Sequence, residues 1–93
     1  MNAVKIAKEQ VRDLFFANQE VLLQENERKL RNFYLDKAAK LGNLHKQKVE
    51  IEFYDAQGQA YWVNTTVWSV GEEFVTLKGG TTLPIKAIAQ INF

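Results

Sequence analysis

Apolar residues recur in three- and four-residue steps at Val4, Ala7, Val11, Leu14/Phe15, Val21/Leu22, Leu30, Phe33/Tyr34 and Leu41. That spacing predicts a helix with one buried stripe from about residue 3 to residue 41. No Gly or Pro interrupts this stretch. Gly42 follows it as a residue able to take the left-handed conformation that ends a helix, with Lys37 and Lys40 placed to favour the negative end of the dipole. Leu44 then occupies the position of a C-cap hydrophobic contact. Asn18 falls on the seam and can cap a second helix with Glu20 in its first turn, so the arm reads either as one long helix or as two helices meeting near Asn18. An unbroken helix of about 39 residues would be roughly 58 Å long. It would overhang the rest of the chain and leave apolar positions exposed, which calls for a partner. The arm is therefore expected to fold back as a hairpin or, the favoured reading, to hold a homo-oligomer together.

From Val49 the period becomes two. Val49, Ile51 and Phe53 alternate with Glu50, Glu52 and Tyr54, the signature of a half-buried strand. Asp55-Ala56-Gln57-Gly58 is a turn sequence. Positions 59–70 are rich in β-branched and aromatic residues and predict one long strand that bends. Gly71-Glu72-Glu73 turns the chain and 74–78 predict a third strand. Gly79-Gly80 suits a two-residue hairpin turn, and 81–86 form the return strand, in which Pro84 must sit at an edge or an end. Ala87-Ile88-Ala89 reads as a 3₁₀ turn before a last strand at 90–93. The expectation is an α+β chain: a helical arm at 1–42, a linker at 43–48, and a five-stranded antiparallel small β-barrel of SH3-like or Sm-like type at 49–93.

The runs Val49-Glu50-Ile51-Glu52-Phe53-Tyr54-Asp55-Ala56-Gln57-Gly58, Val67-Trp68-Ser69-Val70, Glu73-Phe74-Val75-Thr76-Leu77-Lys78, Leu83-Pro84-Ile85-Lys86 and Ile88-Ala89-Gln90-Ile91 carry a resemblance. In this order they resemble the Sm-like superfamily and the barrel of the small bacterial proteins that inhibit the termination factor Rho. The resemblance covers residues 49–93 and implies a small barrel that binds RNA or a protein. Sm-like RNA binders carry Arg or Lys followed by Gly where this chain has Lys86-Ala87, and Glu72-Glu73 would repel phosphate. The resemblance therefore points to the fold more than to RNA binding.

Charge is divided unevenly. Residues 1–48 carry ten Lys/Arg against six Asp/Glu, and residues 49–93 carry two against five. Arg28, Lys29, Arg31, Lys37, Lys40, Lys46 and Lys48 face only Asp36 in their stretch, a pattern that attracts phosphate or an acidic surface when it is not simply a solvated helix face. The chain has no Cys and a single His. Thiolate metal sites and disulfides are excluded, and His45 stands alone with no ligand spacing around it. No cofactor is implied. Gly79-Gly80 lacks the Lys-Ser/Thr and the helix of a phosphate loop. No apolar run approaches a membrane span or a signal sequence, and a cytoplasmic location is expected. Tyr54, Tyr61, Trp62 and Trp68 exceed what a small barrel can enclose; Trp62 and Trp68 are expected beneath the helical arm, or else exposed as a stacking or anchoring platform.

The candidate binding surface is accordingly Arg28, Arg31, Lys46, Lys48, Tyr54, Trp62, Trp68 and Lys86. The expected function is a non-enzymatic module that binds a protein partner and self-associates through its arm. The alternative is an RNA- or DNA-binding regulatory module that uses the basic 28–48 segment.

Overall fold

The two-residue period of the second half does form strands, and the first half forms one long helix preceded by a mostly extended belt that carries a single short helical turn. A computed structural model describes residues 2–93. In chain order its elements are β1 (Val4–Lys5), α1 (Lys8–Val11), α2 (Glu25–His45), β2 (Val49–Tyr54), β3 (Ala60–Thr65), β4 (Val67–Val70), β5 (Phe74–Leu77), β6 (Thr82–Pro84), a 3₁₀ turn (Ile85–Ala87) and β7 (Ile88–Asn92). The strands lie in two sheets, ordered β1-β3-β2-β7 and β4-β5-β6. The chain is thus α+β as expected, but its seven strands in two sheets correct the closed five-stranded barrel.

The long strand expected at 59–70 divides at Thr66. Before it, Val63 lies opposite Ile51 on β2; after it, Val67 lies opposite Leu77 on β5. Thr66 itself turns its main chain to other partners: its carbonyl accepts from Lys78 N–H at 2.9 Å, and its hydroxyl lies 3.5 Å from Lys46 O. One strand therefore hands the chain from one sheet to the other. The alternating residues of both sheets close on a shared core of Ile51, Phe53, Val63, Val67, Val75, Leu77, Leu83 and Ile88, each at most 1 % exposed. Gly79 and Gly80 take φ of 91° and 90°, and Leu77 N–H to Thr81 O at 2.7 Å closes the hairpin they make. Pro84 ends β6, where a missing N–H costs no ladder bond.

The helix begins at Glu25, not near residue 3. At 21 residues it is about 32 Å long, matching the 35 Å longest extent of the molecule, so it does not overhang. Its buried face is Arg31, Leu35, Ala38 and Gly42. The stripe read from sequence through Leu30, Phe33 and Leu41 lies to one side, and Leu30 and Phe33 point outward. Gly42 does not end the helix. It lies inside α2 because that helix crosses β4 so closely that a Cβ there would sit 2.4 Å from Val67 O. The left-handed residue that closes the helix is Lys46, at φ 52°, and Leu44 is exposed rather than forming a cap contact.

Residues 3–24 form a belt in place of the expected long helix or helix pair. Several of its backbone groups bond to other parts of the fold. Val4 and Lys5 run parallel to β3 opposite Tyr61 and Trp62. Ile6 N–H donates to Trp62 O at 3.0 Å, Ala56 N–H to Phe15 O at 2.7 Å, and Val21 N–H to Lys86 O at 3.0 Å. Val11 is fully buried, and the Phe16 ring lies 6.0 Å from that of Phe53. Ile6, Val11, Leu14 and Phe16 pack on the core while Phe15 and Leu23 stay exposed, and that tertiary gain overrides local helix propensity.

Candidate interaction surface

Two rows of residues seven apart run along α2: Leu30, Lys37 and Leu44, all exposed, and beside them Glu27, Tyr34 and Leu41, of which Tyr34 and Leu41 are half-buried. Leu35 and Ala38 are buried against the sheets and Tyr34 packs on the edge of that core, while Leu30, Lys37 and Leu44 stay on the exposed side. Leu30, Phe33 and Leu44 are 52 %, 64 % and 75 % exposed, and Leu23, just ahead of the helix, is 86 % exposed. Phe93 continues this apolar surface from the end of β7. Its ring meets Tyr34 edge-on at 5.7 Å and lies 4.8 Å below Lys37 Nζ. Between α2 and β7 opens a groove of about 640 Å³ whose walls include Leu22, Leu30, Tyr34, Lys37 and Phe93.

One side of the groove is formed by β7, an outer strand of its sheet. Ile88 O faces away from β2, and Arg31 Nη1 donates to it at 3.0 Å. Arg31 is otherwise engaged with Glu20, at 2.5 Å to Oε1 and 2.6 Å to Oε2. Burial alone would push the Glu20 carboxyl up; the bonds from Arg31 and from Leu22 N–H, with the charges of Arg31 and Arg28, outweigh it and hold the group below its ordinary value. Glu20 is therefore a carboxylate, and it neutralises the arginine beside the groove.

The residues expected to bind do not gather in one place. Arg31 is 5 % exposed and spent on Glu20 and Ile88, so it offers nothing to a phosphate. Arg28 is half-buried and donates to Leu22 O at 2.9 Å. Lys46 is the helix cap, with an exposed side chain. Lys86 is exposed on the 3₁₀ turn, and its carbonyl anchors the belt. Tyr54 is half-buried at the end of β2. Trp62 and Trp68 belong to different sheets and neither lies beneath a helical arm: Trp68 is exposed on β4, and Trp62 is half-buried on the outer side of its sheet under Lys5, whose Nζ lies 5.0 Å from the ring. Lys48 and Lys5 line one shallow depression with Asn64. Glu52 stands directly opposite Trp62 in the ladder, which places an anion beside this cation-covered ring.

Leu30, Phe33, Tyr34, Lys37, Leu44 and Phe93 thus make the surface that the basic-residue reading missed. The signal that marks it in the sequence is the seven-residue spacing of Leu30, Lys37 and Leu44.

His45 is exposed at the end of α2. Among the described residues no three His, Cys, Asp or Glu side chains come together as a metal site, and no helix is long and apolar enough to cross a membrane. Comparison with protein-family models, with curated proteins and with solved structures returned no match.

Proposed function

We propose that this chain is a non-enzymatic protein-interaction module whose contact surface is the outward side of α2 together with Phe93 and the groove beside β7. The observation that carries this reading is the apolar, unpartnered row on α2. Leu30, Phe33 and Leu44 are large side chains left in water on a helix whose opposite side is packed against the sheets, and exposed apolar surface of this kind marks a binding face. The order of β2 to β7, with a 3₁₀ turn before the last strand, supports reading the β part as a relative of the SH3-like and Sm-like small barrels, presenting the helix as an added binding element.

The nucleic-acid alternative rests on Lys5, Lys48 and Trp62. It is the weaker reading, because Glu50 and Glu52 share that sheet face and two of the arginines in the basic segment are spent on internal bonds.

A photo-reactive amino acid at Phe33 tests the module in cells, with the same group at exposed Glu72 as the control. Protein adducts at Phe33 well above the control are expected, and equal yields at both positions would overturn the reading. Titration with a fluorescent single-stranded RNA between about 50 and 200 mM salt covers the alternative. No binding is expected; tight binding that collapses with salt and survives Phe33→Asp would replace the protein reading with the nucleic-acid one.

A further inference from the structure

The two seven-residue rows on α2 are complementary to themselves when a second copy is laid against them in the opposite direction. Resting on the interaction surface assigned above, we infer that the occupant of that surface is a second copy of this chain, packed α2 against α2, antiparallel, about a two-fold axis near Asn32. Antiparallel helices that share a seam interleave one row with the other. Here Leu30 of each copy meets Tyr34 of its partner, and Glu27 meets Lys37, twice each by symmetry. The exposed Leu23 ahead of the helix falls near Leu41 at the far end of the partner. Each of these three layers is then apolar against apolar or acid against base, and Leu44 projects beyond the start of the partner's helix.

The opposite orientation fails on charge. Parallel copies in register set Glu27 on Glu27 and Lys37 on Lys37, and like charges at a packed contact are a strong penalty. Antiparallel packing also opposes the two helix dipoles, placing the first turn with Glu25 and Glu27 towards the partner's basic half. An isologous two-fold contact needs a patch that is its own complement, and this row has that property. Asp36 and Asn43 lie around the helix from the seam, so no unpaired acid is forced into it.

The chain contains no cysteine, which allows a direct test. Single-cysteine variants Glu27→Cys and Lys37→Cys are oxidised separately and as an equimolar mixture, with light scattering on the wild-type protein alongside and melting curves confirming that each variant folds. The expected result is a wild-type dimer with a disulfide that forms in the mixture and not in either variant alone. A salt-bridge exchange gives a second readout: E27K and K37E each weaken the dimer about tenfold or more, and the double variant E27K/K37E recovers it. A wild-type monomer at every concentration, or disulfides forming within each single variant as parallel packing demands, would overturn the inference. If the wild-type chain is monomeric while Phe33 still yields adducts with another protein in cells, the self-pairing falls and the interaction module stands. If both fail, both fall.

Discussion

Arg31 grips both oxygens of Glu20, Nη1 to Oε2 at 2.6 Å and Nη2 to Oε1 at 2.5 Å, across a belt and a helix that share no backbone hydrogen bond at that point. The same Nη1 reaches Ile88 O at 3.0 Å. One guanidinium thus ties the N-terminal belt to α2 and α2 to the last strand. Arg31 is 5 % exposed and its Nε has no partner, so its charge depends on Glu20 for compensation.

Removing the carboxylate should be costly. Glu20→Gln leaves the buried arginine without a counter-charge, and a cost of about 2–3 kcal/mol at neutral pH is expected, below the range for fully buried pairs because Glu20 retains partial access to water. Urea unfolding at pH 7 checks this. A loss under about 0.5 kcal/mol, the level of an ordinary surface change, would mean the pair does not tie the belt.

Acid should release the same tie. The Glu20 carboxyl is held below its ordinary value in the folded chain, so its contribution is complete above the unfolded-state value of about 4.3 and is lost as pH falls through the folded-state value. Wild type and Glu20→Gln should differ most above pH 5 and converge towards pH 3. A gap that stays constant across that range would show that Glu20 does not carry the linkage.

Gly42→Ala separates helix propensity from packing. Alanine is the better helix former by about 1 kcal/mol, yet its Cβ would lie 2.4 Å from Val67 O and 2.9 Å from Thr66 Cγ2. Backbone cannot yield as a side-chain tip can, and crowding of this kind costs about 1–3 kcal/mol. The variant should melt lower than wild type, whereas Asn43→Ala, on the exposed side one residue on, should melt at the same temperature or higher. A stabilised Gly42→Ala would contradict the close crossing of α2 over β4.

Val11 and Phe15, four residues apart, distinguish a belt from a helix. A single helical stripe would bury both, but Val11 is fully buried and Phe15 is 84 % exposed. Val11→Ala should cost roughly 2 kcal/mol and Phe15→Ala less than about 0.5 kcal/mol. Comparable losses at the two positions, measured by denaturant unfolding, would restore the helical reading of this stretch.

The β half was largely legible because its elements are set by neighbours in sequence. Val49, Ile51 and Phe53 alternate with polar residues, Gly79-Gly80 admits the turn it makes, and Pro84 can only end a strand; each is a local constraint with one cheap solution. The belt was not legible. Val4, Val11 and Leu14 keep a helical spacing, yet the strand edge at Trp62, the core around Phe53 and the carbonyl of Lys86 satisfy that segment better than its own i→i−4 bonds would.

The proposed contact surface was half legible for the same reason. Leu30, Phe33 and Tyr34 announce an apolar stripe, but a helix that carries both Leu30 and Leu35 has two candidate faces, and the spacing does not rank them. Arg31 in turn reads as a surface cation until Glu20 and Ile88 O are found beside it. Local chemistry was enough to set the strand periods, the tight hairpin and the absence of thiol chemistry, since these depend on residues within a turn or two of each other. Long-range packing chose which helical face was buried, which glycine lay under a strand and which arginine was neutralised, because the free energy of burial depends on what else arrives at the same place.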